Sequence, residues 1–206
     1  MACIIRPMRL EDISQVVQIE RESFSTPWSG TNFRYELLFN RSARYFVACV
    51  PLPGNASKGV SRLDALLSRV QRLFSKREEQ AIDNQWVVGY AGLWFMSDEA
   101  HLTTIAVRQT YQRQGLGELL LISAIELALE RNAEFITLEV RPSNGAAKAL
   151  YRKYGFTGVG LRRGYYYDTG EDALLMATEK ITLPSFEEQF QRLKQAHAQR
   201  WGEQRP

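Results

Sequence analysis

The stretch "QRQGLGELLLISAIELALERN", from Gln112 to Asn132, places two glycines and a basic, amide-rich turn in front of a long amphipathic helix. Leu119, Leu120, Ile122, Ala124, Ile125, Leu127, Ala128 and Leu129 form a broad apolar stripe, so the helix gains nothing from Gly115 and Gly117. Bare backbone at a helix N-terminus offers free N–H groups and the positive end of the dipole, an anion site worth about 0.3–1 kcal/mol per charge when exposed. A tight strand-to-helix turn would use the same glycines. The second stretch is "FITLEVR", where Ile136, Leu138 and Val140 take one strand face and Phe135, Thr137, Glu139 and Arg141 the other. A carboxylate midway along a central strand is costly without a partner or water. Glu139 either pairs with Arg141 on its own face or serves as a general base whose pKa is raised by partial desolvation. Tyr151, in "ALYRKYGF", lies beside Leu150 and Phe156 and by spacing alone belongs to the core.

Other signatures are absent. "GLGELL" carries Leu120 where a dinucleotide fingerprint needs a third glycine or alanine, and no Gly-Lys-Ser/Thr follows a suitable glycine. Cys3 and Cys49 sit in separate apolar segments without metal or redox spacing, which predicts buried free thiols and no metal site. Arg141, Lys148, Arg152, Lys153, Arg162 and Arg163 form a basic run with no acidic residue between them, a solvated surface that also attracts phosphates.

The elements that must position these residues follow from hydrophobic periodicity. The chain opens with a strand (Cys3–Arg6) and a helix from about Leu10 to Phe24. A break at "STPWSG", a helix to about Leu38 and a strand "ARYFVACV" follow, with Asp12, Ser29 and Thr31 as N-terminal helix signals. "PLPGNASKGVS" is a loop leading into a helical pattern, "RLDALLSRVQRLFSKREEQ", whose polar face carries Arg62, Arg69, Arg72, Lys76 and Arg77. Strands "QWVVGYAGLWFM" and "AHLTTIAVR" precede the long helix. After it come "FITLEVR", a helix "NGAAKALYRKY", and strands "GFTGVGLRR" and "DALLMATEKI". That order predicts a mixed α/β sheet with helices packed across it. The final segment is an appended helix, with Ser185 and Glu188 in capping-box spacing and Phe186, Phe190 and Leu193 on one face.

Composition bounds the function. A net charge of +3 is too mild to argue for nucleic acid, and 45% hydrophobic with 24% charged residues describes an ordinary soluble globular chain. No apolar run approaches the roughly 18 residues of a membrane span, and the start lacks a signal-peptide core, which predicts a cytoplasmic, unprocessed protein.

Gln112-x-x-Gly115-x-Gly117, after a strand and opening a helix, resembles the pyrophosphate-binding signature of acetyl-coenzyme A-dependent N-acetyltransferases of the GNAT superfamily. The resemblance continues through "FSTPWS", "LEVRPSNGAAKALYRKYGF" and "RRGYYYDTGEDALLM", as in the ribosomal-protein-alanine (RimI) group, over roughly 1–50 and 85–180. It implies a GNAT fold with splayed central strands in a domain of residues 1–182. A basic helical insertion at about 51–84 and a C-terminal helical extension, 183–206, depart from the pattern. Ile105, Ala106 and Val107 would hold the pantetheine arm of acetyl-coenzyme A. Arg113, Gln114, Gly115, Leu116, Gly117 and Glu118 would hold its pyrophosphate, and Asn144 would contact it too. Glu139 is implied as the base and Tyr151 as the acid that protonates the leaving thiolate, with Phe24, Trp28, Tyr165 and Tyr166 lining the acceptor cleft. The implied acceptor is the N-terminal amine of a small-subunit ribosomal protein, with no direct nucleic acid or membrane partner and the basic insertion available to touch a ribosome. A side-chain or small-molecule amine is the rival acceptor, and a non-catalytic acyl-coenzyme A-binding module the rival class.

Overall fold

A computed structural model describes residues 3–51 and 85–202. The helix expected within the insertion lies outside the described residues. Those described form β1 (Ile4–Pro7), α1 (Ile13–Ser23), α2 (Gly30–Phe39), β2 (Ala43–Pro51), β3 (Gln85–Met96) and β4 (Glu99–Val107). Then follow α3 (Leu116–Glu130), β5 (Phe135–Val140), α4 (Gly145–Lys153), β6 (Thr157–Tyr166), β7 (Glu171–Ala177) and α5 (Pro184–Trp201). The fold is mixed α/β. Its seven described strands form one sheet in the order β1-β2-β3-β4-β5-β7-β6, antiparallel throughout except for the parallel β4–β5 pair.

Alternation along the strands builds two cores. In β2, Phe46, Ala48 and Val50 join the cluster that contains α3, Tyr151, Phe156, Phe186 and Phe190. Tyr45, Val47 and Cys49, on the opposite face, pack with Ile13, Val16, Ile19 and Phe33 of α1 and α2. The sheet is thus sandwiched, with α3 to α5 on one side and α1 and α2 on the other. Among the described residues no helix is long and apolar enough to cross a membrane.

Two helix starts differ from the sequence expectation. Asp12 precedes α1 but does not cap it: its carboxylate turns to Arg6 at 2.7 and 2.8 Å and, at the end of the 3-10 turn Leu10–Asp12, accepts the Arg9 amide at 2.8 Å. With its oxygens taken by the Arg6 guanidinium and the Arg9 amide, the carboxylate does not reach the amides that open α1. Ser185 and Glu188 form no capping box either: α5 begins at Pro184, two residues before the start a Ser185 cap would set, with Leu183 as its flanking residue. A proline there has a preset φ and one fewer N–H to satisfy. Ser29, as expected, caps α2 by accepting from the Asn32 amide at 3.3 Å.

Two features open the sheet where chemistry could sit. The β4–β5 ladder runs only from Glu99–Phe135 to Leu102–Leu138, so beyond those pairs the two parallel strands separate. A bulge in β4 opposite Gly92 and Leu93 re-aims the strand just before the gap, with the Thr103 hydroxyl donating to the Gly92 carbonyl at 3.0 Å.

Candidate active site

The turn after β4 and its 3-10 segment Gln109–Tyr111 feeds α3. Gly115 has φ +79°, a left-handed conformation in which a side chain is strained. Gly117 is different: its φ is ordinary, and a Cβ there would meet only Val107, at 3.9 Å. The turn therefore explains Gly115 but not Gly117, whose bareness is free for a ligand's approach. Gln112 and Gln114 donate their side-chain amides back to the Val107 and Thr110 carbonyls, each at 3.1 Å. The first backbone bond of α3 runs from the Leu119 amide to the Gly115 carbonyl at 2.9 Å, and none of the amides from Arg113 to Glu118 has an acceptor among the described residues. Orphan N–H groups at a helix start want an anion. Arg113 completes the loop at φ +61°. Glu118 points its carboxylate away, to Lys153 at 2.5 Å and the Tyr154 hydroxyl at 2.7 Å.

Ile105, Ala106 and Val107 lie on the part of β4 that has left β5, so only their β3 side is paired. Asn144 stands at the start of α4 and caps it, accepting from the Ala147 amide at 3.0 Å.

Glu139 faces the other side of the same opening. Arg141 is not its partner: the guanidinium binds both Asp168 oxygens at 2.8 Å and stacks over the Tyr166 ring at 3.8 Å. The partner is His101 of β4, whose Nε2 is 3.0 Å from Glu139 Oε2 and whose Nδ1 is 2.7 Å from the Thr137 hydroxyl. That hydroxyl donates onward to Glu99. Arg162 of β6 brings Nη1 to 3.1 Å from Glu139 Oε1, an ion pair whose N–H is misaligned, and Oε1 is left without a hydrogen-bond donor.

The raised pKa expected for Glu139 does not hold. Burial acts to raise it, but the His101 hydrogen bond and charge, followed by the Arg162 charge, outweigh burial and hold the carboxyl below its ordinary value. Glu139 is ionised at neutral pH, and its Oε1 is buried beside Arg162 without a hydrogen-bond donor.

Tyr151 is buried in α4 beside Phe156, and burial, then the neighbouring Tyr166, pushes its phenol far above the ordinary value. It stays protonated. Tyr166 is pushed up to about 12 by burial and Tyr165, with Glu139 contributing.

Phe24 and Trp28 belong to the α1–α2 loop and Tyr165 and Tyr166 to the end of β6, and the structure ties these segments together. The Ser25 hydroxyl donates to Asp168, which Arg141 anchors. The loop is fixed from below by Glu20, which accepts from the Trp28 amide at 2.7 Å and from the Tyr90 hydroxyl. Burial pushes the Glu20 carboxyl up to about 7, against the lowering effect of the Trp28 amide. Phe24 and Tyr165 are each 41% exposed.

His101, Arg162 and Glu20 escape sequence reasoning. His101 is one of only two histidines, and pairing of β4 with β5 in the observed register would have put it beside Thr137 and next to Glu139's face. Arg162 appeared only as one cation in a basic run.

A profile of the acetyltransferase (GNAT) family matches residues 62–156. A Bacillus subtilis (strain 168) protein with the provisional name ribosomal protein bS18-alanine N-acetyltransferase is 38% identical over 172 residues, 84% of this chain and 92% of that protein. The chain belongs to the GNAT acetyltransferase family. An N-alpha-acetyltransferase of Sulfurisphaera tokodaii is 34% identical to this GNAT chain over 174 residues, covering 84% of it and 90% of the relative. The crystal structure of the Escherichia coli ribosomal-protein-S18-alanine N-acetyltransferase superposes with a TM-score of 0.63 at 28% identity, covering 86% of the GNAT chain and 94% of its own.

Proposed function

We propose that this GNAT enzyme transfers acetyl from acetyl-coenzyme A to the N-terminal α-amine of a protein, the N-terminal alanine of a small-subunit ribosomal protein. The observation that carries the reading is Glu139 Oε1, a buried carboxylate oxygen without a hydrogen-bond donor, beside the gap between β4 and β5. The names of the relatives support the protein acceptor.

The residues present suit acetyl-coenzyme A, which supplies the acetyl thioester. The unpaired edge at Ile105–Val107 accepts an amide-bearing arm as a further strand would be accepted. The orphan amides from Arg113 to Glu118 receive the pyrophosphate, and Asn144, at the start of α4, adds a contact. Glu139 Oε1 orients the ammonium and draws its proton, directly or through water, while His101 holds the second oxygen. Only the uncharged amine attacks. Free α-amines titrate near pH 8, so a fraction is already uncharged at neutral pH, and attack on the carbonyl makes the remaining N–H far more acidic, which lets a carboxylate held below its ordinary value accept that proton as the C–N bond forms. Tyr151 donates its proton to the departing sulfur. Phe24, Trp28, Tyr165 and Tyr166 line the path of the acceptor, and the enzyme works in the cytoplasm, where ribosomal proteins are made.

Transfer is direct. Cys3 and Cys49 are both buried, and burial foremost pushes each thiol up to about 11, which leaves no activated nucleophile in either. Peptides beginning with alanine, offered with free and with blocked N-termini, test the acceptor. The free amine is expected to be acetylated and the blocked one not, with initial-rate plots that intersect when both substrates are varied. Acetylation of an internal lysine in the blocked peptide, or of small amines alone, would move the enzyme to the rival acceptor. No thioester turnover with any amine would make it a binding module, and parallel plots would overturn direct transfer.

The insertion is expected to be dispensable for the cofactor. Pro51 and Gln85 are register partners across β2 and β3, so a short turn can close the hairpin in place of residues 52–84. Loop length changes closure entropy by only about 0.6 kcal/mol per doubling. Such a deletant should bind coenzyme A within about threefold of the full chain. Its activity on an intact ribosomal protein should fall, because Arg62, Arg69, Arg72, Lys76 and Arg77 supply charge for a ribosome contact. Loss of coenzyme A binding by the folded deletant would make the segment part of the site.

A further inference from the structure

Helix α5 lies outside the stretch that resembles the family pattern, yet it ends on the loop that opens α3. Its first turns anchor it: Phe186 and Phe190 are buried and stack at 6.4 Å, Phe190 meets Tyr154 edge-on at 6.4 Å, and Lys194 pairs with Glu126 of α3. From there it runs back along α3. Its last turn meets Gly115 at two atoms.

His197, only 5% exposed, places Nε2 3.0 Å from the Gly115 carbonyl, the same oxygen that accepts the first amide of α3 from Leu119. A carbonyl only accepts, so Nε2 carries the proton in this contact. Trp201 covers the hydrogen that stands where a side chain would project from Gly115: a Cβ built there would be 2.6 Å from the indole Nε1 and 2.7 Å from Cδ1. Gly115 is therefore doubly required, by its φ of +79° and by the indole packed on it. Lys153 and Tyr154, through Glu118, hold the same first turn from the α4 side.

We propose that α5 is a clamp on the cofactor loop, in which His197 and Trp201 fix the Gly115 turn so that the amides from Arg113 to Glu118 stay aimed at an anion. The inference rests on the reading that this loop receives the pyrophosphate of acetyl-coenzyme A. The contacts distinguish a clamp from a plug. α5 engages the carbonyl and the Cα of Gly115, and it takes none of the orphan amides, which keep their hydrogen-bonding capacity. An indole N–H and an imidazole N–H are donors and cannot substitute for a phosphate there. Fixing the loop before the ligand arrives removes an ordering cost from binding, so the clamp should act on affinity and not on the chemical step.

The test is calorimetric titration of coenzyme A into the full-length protein and into Trp201→Ala, His197→Leu and His197→Gln, each checked by thermal melting. Trp201→Ala and His197→Leu should each weaken binding about tenfold, the equivalent of about 1.4 kcal/mol. His197→Gln keeps an N–H that can reach the Gly115 carbonyl and should stay within about threefold of the full chain. At saturating acetyl-coenzyme A the kcat of all three should be unchanged. Unaltered affinity in folded Trp201→Ala overturns the clamp, and tighter binding shows a plug instead. If His197→Leu does not fold, Trp201→Ala decides, because that residue closes the helix and is only half-buried. Gly117→Asp separates the two readings, since a carboxylate set among the orphan amides should abolish coenzyme A binding. If Gly117→Asp binds normally, the cofactor-loop reading fails and takes the clamp with it. If Gly117→Asp fails to bind and Trp201→Ala binds normally, the clamp alone is wrong.

Discussion

Glu139→Gln is expected to lower kcat/KM for an alanine-initiated peptide by about 10²–10⁴ near neutral pH, the range that a positioned base contributes. The substitution preserves shape but leaves His101 Nε2 and Arg162 without the charge they face at 3.0 and 3.1 Å. It also replaces a carboxylate oxygen that has no donor by a neutral amide group that no longer draws off a proton. Rate should return in part as pH rises. An α-amine with a pKa near 8 is roughly a tenth uncharged at pH 7 and mostly uncharged at pH 9, so recovery should reach up to about tenfold and then stop. The wild-type enzyme should not show that gain to the same degree. Its carboxyl is held below the ordinary value, so it remains an acceptor through the whole neutral range and loses function only as pH falls through its lowered pKa. Stability follows the same sign: the His101 and Arg162 contacts stabilise the fold above the unfolded carboxyl value, and that contribution fades as pH falls through the folded one. Initial rates from pH 6 to 9, with melting curves for both proteins, measure this. A folded Glu139→Gln protein with near-normal turnover would remove Glu139 from the chemistry and leave it a structural partner of His101.

Tyr151→Phe should reduce kcat by about a hundredfold, the low end of acid catalysis, because a thiolate with a pKa near 8.5 is already a fair leaving group. Affinity for acetyl-coenzyme A should hardly change. The ring stays buried beside Phe156, and the hydroxyl matters only as the C–S bond breaks. Burial keeps the phenol protonated throughout the neutral range, so the loss should be the same across it, unlike that of Glu139→Gln. A thioester with a more acidic thiol should lose less. The double variant should be far less impaired than the product of the single effects, because either loss already diverts the reaction to a slow background route. Separate measurement of coenzyme A binding and kcat decides it. An unchanged kcat would return Tyr151 to the core, and a large loss of cofactor affinity would make it a binding residue.

What the sequence could determine was local. Apolar alternation in "FITLEVR" set the faces of β5, so Ile136, Leu138 and Val140 are buried as that pattern requires. The apolar stripe defined α3, and the glycines at its start marked a turn that in the structure needs Gly115 alone. Motif likeness supplied the family and singled out Glu139 and Tyr151 as residues to examine. It did not supply their surroundings. A face tells which way Glu139 points, but its neighbours come from other strands, and pairing between strands is set by register. Hence the nearest cation in sequence, Arg141, is bound by Asp168 and Glu171, while His101 and Arg162 reach Glu139 from 38 and 23 residues away in the chain. That exchange reversed the sign of the pKa shift, because burial alone raises a carboxyl, whereas the His101 contact and the Arg162 charge lower it. The space beside Gly117 needed the same kind of information: only the folded backbone reveals that, among the described residues, a side chain there would meet nothing nearer than Val107, at 3.9 Å. Helix α5 is the clearest case. Its apolar face was legible from Phe186, Phe190 and Leu193, but an amphipathic pattern specifies that a helix packs and not where. Only the tertiary structure brings His197 and Trp201 onto Gly115, more than 80 residues earlier in the chain, because long-range docking depends on the shape of the whole surface that receives it.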